Sequence, residues 1–437
     1  MAKKSVASQR YLLINAGRLI DGRAKTAIPN GAVLIQGSKV VAAGRASAVR
    51  APDGAAVDTI EYPGMTVMPG MVDCHTHHNG FGDGRPGDFV ADVPDEVLAL
   101  QSARNARASL FTGVTTIREN GPKAYTMLRL RESVNAGLAV GPRMVLCGWP
   151  VSIIGGHMWY FGGQTTGPTE VRAMVRRLVK EGADYIKVTA TGGTTKTSYP
   201  LLPSFNVDEL KAVADTAHGL GKLTAAHCTA TQGIVNALDG GIDMIIHCTF
   251  RDADGKDRFR EDIAERIGKQ GTYVNPTLQV LRSTVWALER KKQERALTPN
   301  EQARLDFFQR NFDRRMEDCR RLVGMGLKVI TGSDSSWTDY QLGNTVYEVE
   351  CLTDVGFSPM RAVQSVTADA AVALGVDRIV GTLEPGKEAD VIVVDGDPSR
   401  DVRALWNVRE VFLAGKRVER GSDASIAATR QHPPSES

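Results

Sequence analysis

Four of the eight histidines in this chain fall where apolar, strand-like segments end. His75 and His77 close VMPGMVDCHTH, His227 closes LTAAHC, and His247 closes DMIIHC. Alternate residues of a strand share a face, so the imidazoles of His75 and His77 start about 7 Å apart along the backbone and can reach one ion. Imidazole and carboxylate bind a borderline-soft divalent metal such as zinc at about 2.0–2.2 Å. Asp334, in VITGSDSS, ends another such segment. A carboxylate there can bind metal and can also take a proton from metal-bound water. Lys187 lies inside the apolar segment YIKVTATGG. An ammonium beside metal ions is costly: at 4 Å and an effective dielectric near 20, each unit of like charge costs about 4 kcal/mol, and each ion carries two. Lys187 must therefore be neutral, turned away, or converted to an anion. Reaction of its amine with carbon dioxide gives a carbamate whose two oxygens can bridge two cations. Taken singly, each residue has an ordinary structural use, as a helix cap, a buried ion pair or a satisfied core histidine. Their succession at strand ends is what points to a site.

The elements that must position these residues are legible as alternating short strands and amphipathic helices, the pattern of a parallel α/β fold. Eight strand segments run from VMPGMVDCHTH through VTTIREN, RMVLCGW, YIKVTATGG, LTAAHC, DMIIHC and YVNPTL to KVITGSD. The expected fold is α/β: a (β/α)8 TIM barrel with a small β-sandwich domain formed by both chain ends. Active sites of such barrels lie at the C-terminal ends of the strands. An open doubly wound sheet would carry a Gly-rich phosphate loop after its first strand, and none is present. The N-terminal portion of the β-sandwich is expected over residues 1–70, the barrel over 71–382, and the C-terminal portion of the β-sandwich over 383–420. A disordered polar tail is expected over 421–437. Residues 283–323 are strongly charged and read as two helices broken near Thr298-Pro299, with a solvated outer face.

Length and composition agree with this organisation. The chain has 437 residues, enough for a barrel of about 250 residues and a smaller domain. The 53 basic and 50 acidic residues nearly balance, giving a net charge of +3, which argues against nucleic acid or an anionic membrane as partner. The six cysteines show no CxxC pair and read as reduced thiols, and Cys74, Cys228 and Cys248, each beside a candidate histidine, are expected to point outward into packing. No stretch has signal-peptide character or reaches 18 apolar residues. A cytoplasmic, homo-oligomeric enzyme acting on a small molecule is expected.

The order His-x-His, strand-four Lys, strand-five His, strand-six His, strand-eight Asp resembles the amidohydrolase superfamily, in its two-metal, carboxylated-lysine branch. PGMVDCHTH is similar to the family's first-strand motif, and LEPGKEADVIVVDGDP to its C-terminal β-sandwich motif. GADYIKVTATGG, LTAAHCTATQGIVNALDGGIDMIIHC and YVNPTL resemble the subgroup of imidazolonepropionase-like amidohydrolases, Xaa-Pro or basic-residue dipeptidases, and ochratoxin- and phenylurea-type hydrolases. The resemblance implies two divalent ions, zinc first, with manganese, cobalt or iron(II) as alternatives. His75, His77 and Asp334 would hold one, His227 and His247 the other, and a carboxylated Lys187 would bridge both. Two cations lower the pKa of a bridging water toward 7, so hydroxide attacks the carbonyl while Asp334 passes the proton to the leaving nitrogen.

His157, in the Gly-flanked segment IIGGHMWYFGG, matches a family histidine near the substrate carbonyl and is expected to be catalytic and substrate-binding. Trp159 and Tyr199 are expected to contact substrate. His78 and His218 read as structural. The family commonly has Arg-Asp after the second strand, whereas this chain has Arg118-Glu119, to which no role is assigned. No single Arg or Lys is placed to bind a terminal carboxylate, which favours an aryl amide or urea over a small dipeptide. Two alternatives remain. A one-metal deaminase would resemble His-x-x-Glu at the fifth strand, but His227 is followed by Cys228, Thr229 and Ala230. A non-catalytic scaffold homologue would have lost ligands, and this chain keeps all six.

Overall fold

The computed structural model of the protein describes residues 10–421 and 430–434. Four strands come first: β1 (Tyr11–Leu19), β2 (Ile28–Gln36), β3 (Lys39–Arg45) and β4 (Val57–Pro69). β1 pairs antiparallel with β2 and parallel with β4. The barrel follows with β5 (Met71–Thr76), β6 (Val114–Glu119) and β7 (Arg143–Leu146), a short pair β8 (Val151–Ile153) and β9 (Gly163–Thr165), then β10 (Ile186–Thr189), β11 (Thr224–His227), β12 (Met244–Ile246) and β13 (Tyr273–Asn275). The chain returns with β14 (Val391–Val394), β15 (Val408–Leu413) and β16 (Lys416–Arg417), which complete a seven-stranded sheet in the order β16-β15-β14-β4-β1-β2-β3. The fold is thus a (β/α)8 barrel with a small β domain built from both chain ends.

The ladders β5-β6-β7 and β10-β11-β12-β13 are parallel. Every residue of β5, β6, β10 and β11 is buried, as expected where helices cover one face of a parallel sheet and the barrel interior the other. Asp184 spans the gap between β7 and β10: its backbone N donates to Leu146 O at 2.7 Å, and its carboxylate accepts from Leu146 N at 2.9 Å.

The eighth strand expected at KVITGSD is an extended segment and not a regular strand. Single bridges Val274↔Val329 and Thr76↔Ser335 close the barrel there. Within it Asp334 has a φ of +58°, outside the extended region. Strands β8 and β9, three residues each, have no counterpart among the expected strands, and they hold the His157 loop from both sides.

Residues 283–323 form the helices Gln279–Glu294 and Pro299–Gly324. Thr298 and Glu301 make a reciprocal capping box and Pro299 opens the second helix, so the break falls where the sequence places it. That helix buries Leu305, Met316, Cys319 and Leu322 and exposes most of its charges. All six cysteines are free and buried. No described helix is long and apolar enough to cross a membrane. Within the 421–437 tail, Gln431 N donates to Asn344 Oδ1 at 2.8 Å and Gln431 Nε2 to Asp339 O at 2.6 Å. Residues 422–429 and 435–437 lie outside the described residues.

Candidate metal centre

Barrel closure brings β5 against the eighth segment. Asp334 N donates to His75 O at 2.7 Å, and His77 N donates to Ser335 O at 2.5 Å. Behind them Asp73 accepts from His75 N at 3.0 Å, Ser333 N at 3.0 Å and Thr345 Oγ1 at 2.7 Å, tying the two segments together. The result is a tight cluster: His75 Nε2 lies 3.1 Å from His77 Nε2, and Asp334 Oδ1 lies 3.3 Å from each. Beside it His247 Nε2 lies 2.9 Å from His227 Nδ1, and Asp334 Oδ2 reaches to 3.9 Å from His247 Nδ1. The His75 and His247 rings are 5.7 Å apart.

The outer nitrogens of these rings decide which way the inner ones face. His227 Nε2 points at Gly192 O at 3.1 Å and His77 Nδ1 at Gly121 O at 3.5 Å. A carbonyl oxygen only accepts, so those nitrogens carry the hydrogens and the inner ones present lone pairs. Asn275 Nδ2 donates to Ile330 O and Gly332 O, so its Oδ1 accepts from His75 Nδ1 at 3.1 Å, and His247 Nδ1 lies 2.7 Å from Thr277 Oγ1. Burial holds His75, His227 and His247 well below the ordinary imidazole range, so these rings are neutral. Facing lone pairs about 3 Å apart repel unless a cation sits between them. A tetrahedral ion with bonds of 2.0–2.1 Å would need donors about 3.3 Å apart, which is the spacing found. The donor set therefore fits a divalent metal.

Lys187 projects into the same space. It is 1 % exposed, and its Nζ lies 3.4 Å from Asn120 Oδ1. Its charge acts on His75, His157, His227 and His247, and it responds to Asp334. Burial pulls its ammonium down to about 7. These interactions place Lys187 beside the cluster. His247 and Asp334 sit at φ of +66° and +58°, in the left-handed region that side chains seldom adopt. The barrel holds both candidate ligands in strained conformations, as functional sites often do.

A family model described as the amidohydrolase family matches residues 66–418. The chain belongs to the amidohydrolase family. Ochratoxinase from Aspergillus niger is 24% identical over 386 residues, covering 80% of this chain and 75% of that one. A solved Xaa-Pro dipeptidase with methionine bound in its active site is 27% identical, with a TM-score of 0.79 over 94% of this chain and 100% of that one. Phenylurea hydrolase B shares the fold at a TM-score of 0.77 and 19% identity, over 97% of this chain and 100% of that one. This amidohydrolase is a hydrolase acting on carbon–nitrogen bonds, and the family works through a metal centre.

The amidohydrolase site has a wall on its β8–β9 side. His157 is buried, with its ring 4.5 Å from that of His227. Thr195 Oγ1 accepts from Met158 N at 3.1 Å and lies 2.9 Å from His157 Nδ1. If Thr195 donates to Nδ1, a neutral His157 carries its hydrogen on Nε2, the nitrogen that packs against Gly193. Burial pushes this ring down to about 3, so it stays neutral across the physiological range. The Gly-Gly pair after β10 makes this packing possible. A Cβ on Gly193 would sit 2.6 Å from His157 Nε2, and one on Gly192 would sit 2.1 Å from Tyr199 O.

The aromatic candidates divide. Trp159 is half-buried, with its ring 6.0 Å from Tyr160. Tyr199 is 61% exposed, and among the described residues its side chain makes no hydrogen bond or ring contact with the histidines. Its backbone, packed against Gly192, braces the carbonyl that orients His227. Trp337 stands nearest the cluster, 5.1 Å from the His77 ring, and no sequence signal singles it out although it follows Asp334 by three residues. Glu119 Oε2 accepts from His78 N at 3.0 Å and from His78 Nδ1 at 2.7 Å, while Arg118 Nε donates to Cys74 O at 2.7 Å. The Arg-Glu variation thus braces the strand that carries His75 and His77.

Strand β13 and the two residues after it carry no candidate ligand, yet Asn275 orients His75 and Thr277 holds His247. Asn275→Ala and Thr277→Val are each expected to weaken metal affinity by about 10- to 100-fold. Competition with a chromophoric chelator measures this, and unchanged affinity would remove β13 from the metal site.

Proposed function

We propose that this amidohydrolase cleaves an amide-type carbon–nitrogen bond of a small molecule at a two-metal centre. The observation that carries the reading is the convergence of neutral imidazole lone pairs, Asp334 and buried Lys187 at one end of the barrel. The similarity to ochratoxinase and to a Xaa-Pro dipeptidase supports the reaction class. His75, His77 and Asp334 would hold one ion, His227 and His247 the second, with a carbamate on Lys187 bridging them. When bound, such ions supply Lewis acidity toward a carbonyl and make water acidic enough to attack it at neutral pH. Zinc suits this nitrogen-rich set best.

The chain's own groups complete the reaction. His157 Nε2–H donates to the substrate carbonyl oxygen as negative charge grows there. Asp334 Oδ2, turned away from the His75–His77 pair, takes the proton of the attacking water. It returns that proton to the nitrogen as the C–N bond breaks, so an amine leaves and a carboxylic acid remains. Trp337 and the Tyr160–Phe161 pair cover the His77 side and exclude bulk water.

Purified enzyme is expected to contain two divalent ions per chain by elemental analysis. Prolonged chelation should abolish hydrolysis, and added zinc, manganese or cobalt should restore it. A product-mass panel of N-acyl amino acids, dipeptides, aryl ureas and carbamates identifies the bond. One ion per chain, with ammonia released from an aminated heterocycle, would replace this reading with deamination.

A further inference from the structure

The helix Asp95–Phe111 has two faces with different work. Its inner face holds the chain just after His77. Asn105 Nδ2 donates to His78 O and Gly80 O at 2.9 Å each, and Asn79 Nδ2 donates to Ser102 Oγ at 2.8 Å. Its outer face carries Leu100, 73% exposed, with Val97 exposed beside it. The chain that follows the helix Thr126–Asn135 adds Leu138, 83% exposed, and Val140. Residues 137–140 and Ala103, Arg104 and Arg107 line a groove of about 390 Å³ along this face. Large apolar side chains gathered in one exposed place mark a surface that meets another protein.

The charges on the same face say which protein. Glu96, Leu100 and Arg104 follow one i, i+4, i+8 row of the helix, and both charged residues are exposed. Glu96 and Arg104 stand about 12 Å apart along the axis, too far to pair with each other. Neither has an ion pair or a side-chain hydrogen bond among the described residues, whereas the adjacent Asp95 is paired with Lys123 at 3.4 Å. A row that reads acid, leucine, base is complementary to itself in reverse. Two copies crossing antiparallel about a two-fold axis through Leu100 set leucine on leucine and each acid against a base. Rows of this spacing lie along each other when helices cross at about 50°, the commonest class of helix packing.

We infer that a second copy of this chain docks on the outer face of the helix Asp95–Phe111, with Glu96 of each copy paired to Arg104 of the other. Exposed ion pairs contribute little affinity. Leu100, with Val97, Leu138 and Val140 around it, therefore holds the copies together, and the charges fix their direction. A different partner would have to bring its own matching pattern, which a second copy already carries.

Sedimentation equilibrium of the full chain tests the contact. Wild type is expected to self-associate. Glu96→Arg and Arg104→Glu each set like charges across the axis, and each is expected to weaken association by on the order of 10²-fold and to sediment at half the wild-type mass. Leu100→Asp, which sets two carboxylates on the axis, behaves in the same way. An equimolar mixture of Glu96→Arg and Arg104→Glu is expected to regain the wild-type mass. One chain then supplies only bases and the other only acids, so every pair is restored, and recovery also shows that both variants are folded. The inference is overturned if wild type is monomeric, whatever else binds this face. It is equally overturned if any of the three variants keeps the wild-type mass, because other faces then join the copies, or if the mixture fails to recombine.

Discussion

Lys187→Ala is expected to lower the metal content from two ions per chain to about one and turnover by on the order of 10³-fold, since loss of one ion removes several kcal/mol of charge stabilisation. Lys187 is 1 % exposed and set among four neutral imidazoles, where a permanent ammonium would repel any metal. A carbamate reverses the sign of its charge and offers two oxygens. Its formation needs the free amine, whose lone pair attacks carbon dioxide while a proton leaves. Burial lowers the folded-state pKa from 10.5 to about 7, so the neutral amine prevails as pH rises through 7. Reconstitution of metal-free enzyme with zinc and bicarbonate should therefore accelerate between about pH 6 and 8 and then level off. An ordinary lysine would keep accelerating toward about pH 10. Circular dichroism of Lys187→Ala checks that the variant folds. A folded variant that still holds two ions and turns over near the wild-type rate would sink the bridged two-metal reading.

Asp334→Asn should bind substrate with little change in KM and lose about 10²- to 10⁴-fold in kcat when assayed in excess zinc. The carboxamide has nearly the same shape and can keep its oxygen 3.3 Å from the His75 and His77 nitrogens. It cannot take a proton from water. Asp334 N is held on His75 O at 2.7 Å, so the side chain of the variant starts from the same place. Excess zinc compensates for the weaker amide ligand and isolates the proton-transfer role. A retained rate under those conditions would remove Asp334 as the proton carrier.

Much of the barrel is legible because its signals are local. Runs such as YIKVTA and DMIIHC are short, apolar and β-branched, and a strand places alternate residues on opposite faces whatever surrounds it. The break at Thr298-Pro299 is equally local, since a capping box spans only four residues. The eighth strand and the β8–β9 pair are less legible. The eighth has an apolar run but bends at Asp334, where backbone conformation depends on what packs around it. The two strands of the pair are three residues long, too short for a period to show.

The same division runs through the site. His75, His77, His227, His247, Asp334 and Lys187 can be singled out because residue type and strand-end position carry the information. Their working partners cannot. Asn275 meets His75 across 200 residues of sequence, and Thr277 meets His247 across 30. Trp337 is distinguished from Trp159 and Tyr199 only by the side of the barrel on which it packs. Glu96 and Arg104 read as ordinary helix charges until the folded chain leaves both without partners. Residue type and strand order alone specify the ligand chemistry and the succession of segments that carries it. Which nitrogen of each ring faces inward, which aromatic covers the site and which charges go unpaired were decided by tertiary structure. Those properties are set by contacts that exist only after barrel closure brings distant segments within hydrogen-bonding distance.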